Sequence, residues 1–92
     1  MKYGILQTSL YKRELKRAVK RGCDIDKLKE IIVLLADGAP LPARNRDHEL
    51  SGKFKGFREC HIESDWLLVY MVDKEQLVLV LTRTGSHSDL FG

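Results

Sequence analysis

Ninety-two residues hold two cysteines, Cys23 and Cys60. Two thiols are too few for a disulfide scaffold and lie too far apart for a Cys-x-x-Cys motif, so both are expected to be reduced and structural. Long hydrophobic runs are also missing. The longest, Ile31 to Ala36 and Trp66 to Val72, fall far short of the roughly 20 apolar residues of a membrane span, which excludes a transmembrane helix. The opening residues Met1-Lys2-Tyr3-Gly4-Ile5-Leu6-Gln7 hold no secretory h-region, and a cytoplasmic protein is expected. No compact zinc spacing joins the cysteines to His48, His61 and His87, so neither a metal nor a cofactor is expected. There is too little chain for two cores. Residues 1–92 make a single domain that buries roughly 60 to 70% of its unfolded surface.

What is present is ordinary for a folded protein, with 43% hydrophobic and 32% charged residues, which disfavours disorder or a fibrous repeat. The net charge is only +3, but it is unevenly placed. Residues 1 to 46 carry eleven basic and five acidic side chains, and residues 47 to 92 carry five and eight, leaving +6 and −3. All three histidines lie in the acidic half. The basic half therefore suggests an electrostatic docking face, and the acidic half suggests chemistry.

Lys2 to Gln7 is a short candidate strand. After Thr8 or Ser9 as a cap, Tyr11, Leu15, Ala18 and Val19 form one apolar stripe of a helix that Gly22 stops. Asp24 caps a second helix whose Leu28, Ile31, Ile32 and Leu35 repeat the spacing, ending at Gly38 before Pro40 and Pro42. The two are expected to form a hairpin with facing stripes. The stretch from Pro40 to Lys55, which includes His48, reads as loop with at most a short strand. Beyond Gly56, three strands follow as an antiparallel meander: Phe57 to Glu63, Trp66 to Val72 and Leu77 to Arg83. The middle one is apolar throughout, as expected of a strand covered on both faces. The fold class is thus α+β, two N-terminal helices packed on a small twisted antiparallel sheet.

Turns at Ser64-Asp65 and Asp73 to Gln76 predict Glu63 opposite Trp66, His61 opposite Leu68, Val72 opposite Leu77 and Trp66 opposite Arg83. Side chains directly opposite share a face. His61, Glu63, Trp66 and Arg83 are then expected at one end of one face, beside Asp65, with the tail able to fold His87 and Phe91 back over it. A one-residue slip would scatter the group. Such a cluster suits phosphodiester transfer in RNA. Histidine, with an unperturbed pKa near 6.5, can take or give a proton at neutral pH. Arginine offers a planar fork to phosphoryl oxygens, and an aromatic ring such as Phe91 can stack on an unpaired base. This scheme requires no metal.

The run Asp47-His48-Glu49-Leu50, then Gly52, Lys55-Gly56-Phe57-Arg58-Glu59, Cys60 through Trp66 and Arg83 through Phe91, closely resembles the YafQ family of bacterial type II toxins within the RelE/ParE superfamily. The likeness runs through the whole chain, including Pro40-Leu41-Pro42. It implies a RelE-like ribonuclease fold working as a ribosome-dependent mRNA endonuclease in the A site of the 30S subunit, where 16S rRNA and the mRNA path position the codon. It also implies a cognate antitoxin protein, and operator DNA bound only through the toxin–antitoxin complex. Carried over residue by residue, the active-site positions are His48, His61, Asp65, Arg83, His87 and Phe91, with Trp66 beside them. His87 would act as general acid and His61 or Asp65 as base, with His48 assisting, Arg83 holding the phosphate and Phe91 stacking on a base. Lys12, Lys16, Arg17 and Lys20 of the basic helix would contact rRNA phosphates. Glu49, Phe54 and Phe57 depart from the family's common proline, tryptophan and tyrosine, and none removes a group from this centre. The rival is a ParE-type toxin that inhibits DNA gyrase without cutting RNA. It shares the fold, so only the histidine set with Arg83 separates the two.

Overall fold

Thr8 and Asp24 start the long helices. The Thr8 hydroxyl accepts the Tyr11 N–H at 3.0 Å, and the Asp24 carboxylate accepts the Asp26 N–H at 3.1 Å. Each satisfies a donor left over in the first turn of α1 (Ser9–Lys20) and α2 (Ile25–Ala36). Gly22 and Gly38 follow the helices with φ of +80° and +74°, left-handed positions that glycine takes without strain. In the computed structural model, which describes residues 1–92, both helices lie on one face of a five-stranded sheet. Their stripes converge on that sheet instead of closing only on each other, with α1 along β5 and α2 against β3. Val19, expected in the α1 stripe, is 55% exposed, and Glu14 is buried in its place.

The strands are β1 (Gly4–Gln7), β2 (His48–Glu49), β3 (Arg58–Glu63), β4 (Trp66–Asp73) and β5 (Val78–Gly85), in the order β1-β5-β4-β3-β2. The meander is antiparallel as expected, but β1 runs parallel to β5, so the sheet is mixed. Trp66, Leu68 and Tyr70 of β4 face the helices with Cys60, Ile62, Leu79 and Leu81. Leu67 and Val69 face the other way, under Leu90 of the C-terminal helix α3 (His87–Phe91) and beside Leu50 and Phe57. The unbroken apolar run of β4 is thus explained by cover on both sides. Burial pushes the Cys60 thiol up to about 12, so it behaves as a small core hydrophobe.

The register differs from expectation in a way that decides the site. Glu63 does pair with Trp66, but a bulge between His61 and Glu63 sets His61 opposite Leu67 instead of Leu68. In the second hairpin Asp73 accepts the Glu75 and Gln76 N–H groups, both at 3.0 Å, and pairs with Val78, so Val72 meets Leu79 rather than Leu77. That two-residue shift preserves faces, but a further bulge between Val69 and Tyr70 moves Arg83 opposite Val69 instead of Trp66. Each bulge flips one group. His61 and Arg83 therefore stay together, but on the face turned away from the helices, while Trp66 remains on the helix side.

Candidate active site

The pairing places His48, Glu59, Val69 and Arg83 in one row across β2, β3, β4 and β5. Strands lie about 4.8 Å apart, so Glu59 and Arg83 stand about 10 Å apart along the row. His61 occupies the next row with Leu67 and Gly85 on the same face. The Glu59 carboxylate, 6% exposed, serves both rings: its Oε1 lies 3.7 Å from His48 Nε2 and 3.9 Å from His61 Nε2. His48 Nδ1 stands 2.7 Å from the Arg46 carbonyl, and His61 Nδ1 stands 3.2 Å from that of Ser64. A carbonyl only accepts, so each Nδ1 carries a proton. Nε2 is then an acceptor in the neutral ring and a second donor, facing Glu59, in the charged one.

The loop before His48 is fixed by charge. Arg58 donates to both Asp47 oxygens at 3.4 and 3.3 Å, and the Tyr70 hydroxyl donates to Asp47 as well. Burial, then the Asp47 carboxylate, drives the Tyr70 hydroxyl above its ordinary range. Asn45, itself buried, donates from Nδ2 to the His61 carbonyl at 2.8 Å and ties this loop to β3.

The tail folds back as the chain pattern allowed. Ser86 and Asp89 form a reciprocal capping box, and Asp65 Oδ1 accepts the His87 N–H at 2.9 Å. Adjacent residues of one turn thus hold both imidazole segments, Ser64 through the His61 ring and Asp65 through the His87 backbone. The His87 ring lies 5.4 Å from that of Phe91, which meets Phe54 edge-on at 5.5 Å and 90°. Asp89 is gripped by Arg21 at 2.6 and 3.4 Å. The Arg21 hydrogen bond, reinforced by the Ser86 backbone N–H, holds the Asp89 carboxyl well below the usual carboxylate range.

Arg83 is paired with Glu14, donating from Nε to Oε1 at 3.3 Å and from Nη2 to Oε2 at 2.8 Å. Glu14 Oε1 also accepts the buried Thr84 N–H at 3.3 Å. β1 ends its pairing at Leu81, and Glu14 covers the edge of β5 beyond it.

Of the expected residues, the fold brings His48, His61 and Arg83 to one face and lays α3, bearing His87 and Phe91, over that face. Asp65 sits at its end, already bonded to the His87 N–H. Trp66 does not join them. It is 4% exposed in the helix-side core and donates its indole N–H to Thr84 Oγ1 at 2.9 Å, so its assignment to substrate binding is corrected to packing. Glu63, expected in the same group, is on the helix side, 3.1 Å from Lys27 Nζ. Lys12, Lys16 and Lys20 are exposed on α1, whereas Arg17 leans toward Asp89 at 3.9 Å. The sequence reading missed Glu59 and Glu14. Glu59 stands two residues before His61 on a strand, which by itself puts both on one face. Glu14 lies three residues after Tyr11 and four before Ala18, in the helix's buried stripe.

A family model described as "Bacterial toxin of type II toxin-antitoxin system, YafQ" matches residues 3–92. The chain belongs to the YafQ family. It is 45% identical over 84 residues to the mRNA interferase toxin YafQ of Escherichia coli K12, covering 89% of this chain and 88% of that one. The YafQ fold matches too. Against the toxin in the crystal structure of the E. coli DinJ-YafQ toxin-antitoxin complex the TM-score is 0.89 at 40% identity, with all of both chains covered. Against the crystal structure of a metal-bound toxin from Helicobacter pylori it is 0.92 at 42% identity, covering 97% of this chain and 99% of that one.

Proposed function

We propose that this chain is a ribosome-dependent mRNA endonuclease that cuts the codon in the A site, and the toxin of a pair whose antitoxin protein binds and blocks it. The observation that carries this reading is the common face on which Glu59 joins two imidazoles and Arg83 lies in the same row, with His87 on the helix above. The naming of the E. coli relative as an mRNA interferase, and the complex of YafQ with DinJ, support it.

In the proposed reaction His61 takes the proton of a 2′-hydroxyl, and the oxygen attacks the adjacent phosphorus. His87 protonates the departing 5′-oxygen as its bond to phosphorus breaks, leaving a 2′,3′-cyclic phosphate and a 5′-hydroxyl. Glu59 faces Nε2 of His61 and His48, the nitrogen free to take a proton, and its carboxylate steadies the imidazolium that forms when His61 does so. Arg83 has five N–H donors, of which Glu14 occupies two, and the other three meet the charge that builds on the phosphorane. Asp65 anchors His87 and does not act as base. Phe91 contacts a base, and the exposed lysines of α1 contact rRNA. Each role falls to a side chain, so cutting is expected to withstand a transition-metal chelator at constant magnesium. A protein acting on ribosomes works in the cytoplasm.

Primer extension on mRNA after induction tests the reading, with in-frame cuts inside codons expected. DNA damage with intact mRNA would favour a gyrase-binding toxin instead. His87→Ala should lower cleavage by roughly 10² to 10⁴ and leave antitoxin binding unchanged. A fully toxic variant would overturn the assignment of His87.

A further inference from the structure

Beside Arg83 the open face of the sheet holds a pocket of about 210 Å³ walled by Phe54, Phe57, Leu90 and Phe91, with Val69 at its floor. We propose that it receives one unpaired nucleobase of the RNA strand, next to the phosphate held by Arg83, and that Phe54 is the side chain on which that base rests. This inference rests on the nuclease reading and names a specificity site for it.

Size comes first. Sites for drug-sized ligands span roughly 300–1,000 Å³, so this pocket takes a single ring system and not a whole nucleotide. Its walls suit a flat, π-rich guest. The Phe54 and Phe91 rings meet at 90°, forming a corner in which a base can lie flat on one ring with its edge against the other. Neither ring belongs to a core cluster, in contrast to Phe57 and Leu90. Phe91 is 37% exposed and Phe54 half-buried, so the two rings are not spent on filling the interior.

The charges at the rim select the same guest. Lys53 Nζ lies 5.8 Å from the Phe54 ring centroid, and Arg83 also lines the pocket. An apolar slot with two cations in its lining fits a base whose phosphates lie outside it. Val69, the floor, separates Arg83 from Glu59 in the cross-strand row, which puts the slot within a nucleotide's reach of the reacting groups. The connection to chemistry is direct, because Phe91 touches Phe54 on one side and His87 on the other. A base seated in the corner would press on the ring that borders the general acid.

The test is a cycle between protein and RNA on programmed ribosomes. The mRNA carries an abasic nucleotide at each position of the cut codon in turn, and each is cut by wild type and by Phe54→Leu, which keeps apolar bulk but has no ring. One position should raise KM by roughly 5- to 100-fold in the wild type, the worth of one base–aromatic stack. At that position Phe54→Leu should add nothing further. Independent, multiplying losses would overturn the pocket, as would insensitivity to every abasic position. Phe54→Leu that weakens antitoxin binding while leaving KM untouched would also overturn it and give the slot to a protein side chain. Intact mRNA with the wild-type toxin would sink the nuclease reading itself, whereas cut mRNA with no response at Phe54 removes only this inference.

Discussion

Glu14 of the first helix grips the side of the Arg83 guanidinium with both carboxylate oxygens, at 3.3 and 2.8 Å, across sixty-nine residues of chain. The pair does two jobs. It aims the free end of the fork over the sheet face, and it satisfies the Thr84 N–H where the sheet edge is open. Charge-assisted bonds of this kind contribute roughly 1.5–3 kcal/mol, so Glu14→Gln should slow cleavage by up to about 10- to 100-fold. Because Glu14 positions Arg83 and does not touch RNA, the loss should appear in kcat and vanish when Arg83 is already alanine. A loss of equal size in both backgrounds would mean that Glu14 serves only the fold.

Glu59 yields a second prediction from the same face. It is buried, and Nε2 of both His48 and His61 lies within 4 Å of its carboxylate. Glu59→Gln keeps the volume but replaces the shared anion with a neutral amide. Cleavage should fall, and its pH profile should shift on the limb governed by the base, with Tm changed little. His48→Ala combined with Glu59→Gln should be less damaging than the product of the two single effects, since His48 acts through Glu59. Independent effects in a full kinetic cycle would show that His48 does not act through Glu59.

The sequence disclosed the elements better than their faces. Caps at Thr8 and Asp24, stops at Gly22 and Gly38 and the run from Trp66 are local signals, and each helix and strand formed where they indicated. His61 and Arg83 were expected beside Trp66 because an even pairing register was extended from each turn. Two bulges, each one residue, break that extension. A bulge is favoured by how the whole sheet twists and packs, so no neighbouring residue announces it. Each turns its group to the other face relative to Trp66, so the histidine–arginine grouping survives while Trp66 is left in the core. Glu59 was legible by its spacing from His61. Glu14 was hidden because a glutamate among lysines and arginines on a helix reads as a surface charge.

Asp89 ties acid stability to the position of the terminal helix. Its carboxyl is held below the ordinary range by Arg21 and the Ser86 backbone. A carboxyl depressed in the folded state contributes stability that is fully present above its unfolded pKa, near 3.9, and is lost as pH falls toward the folded value. Asp89→Asn should therefore lower Tm at pH 7, and the difference from wild type should shrink below about pH 4. Thermal melts of the two proteins across that interval give the answer. A difference that stays constant down to the acid limit would show that charge on Asp89 is not what holds the helix.

Lys12, Lys16 and Lys20 stand four residues apart along the first helix, all exposed. At about 100° per residue they fall on one narrow stripe, opposite the buried side formed by Tyr11, Glu14 and Ala18. Such a stripe leaves the fold untouched when its charge is removed, unlike Arg17, whose guanidinium lies near Asp89. Each lysine that meets an RNA phosphate displaces a counterion, and the logarithm of affinity then falls with the logarithm of salt by about 0.7–0.9 per contact. Changing all three to glutamine should weaken ribosome association and flatten that slope by up to about 2 to 3, with Tm and antitoxin affinity unchanged. A slope equal to that of the wild type would place these lysines in solvent and move the rRNA contact elsewhere on the molecule.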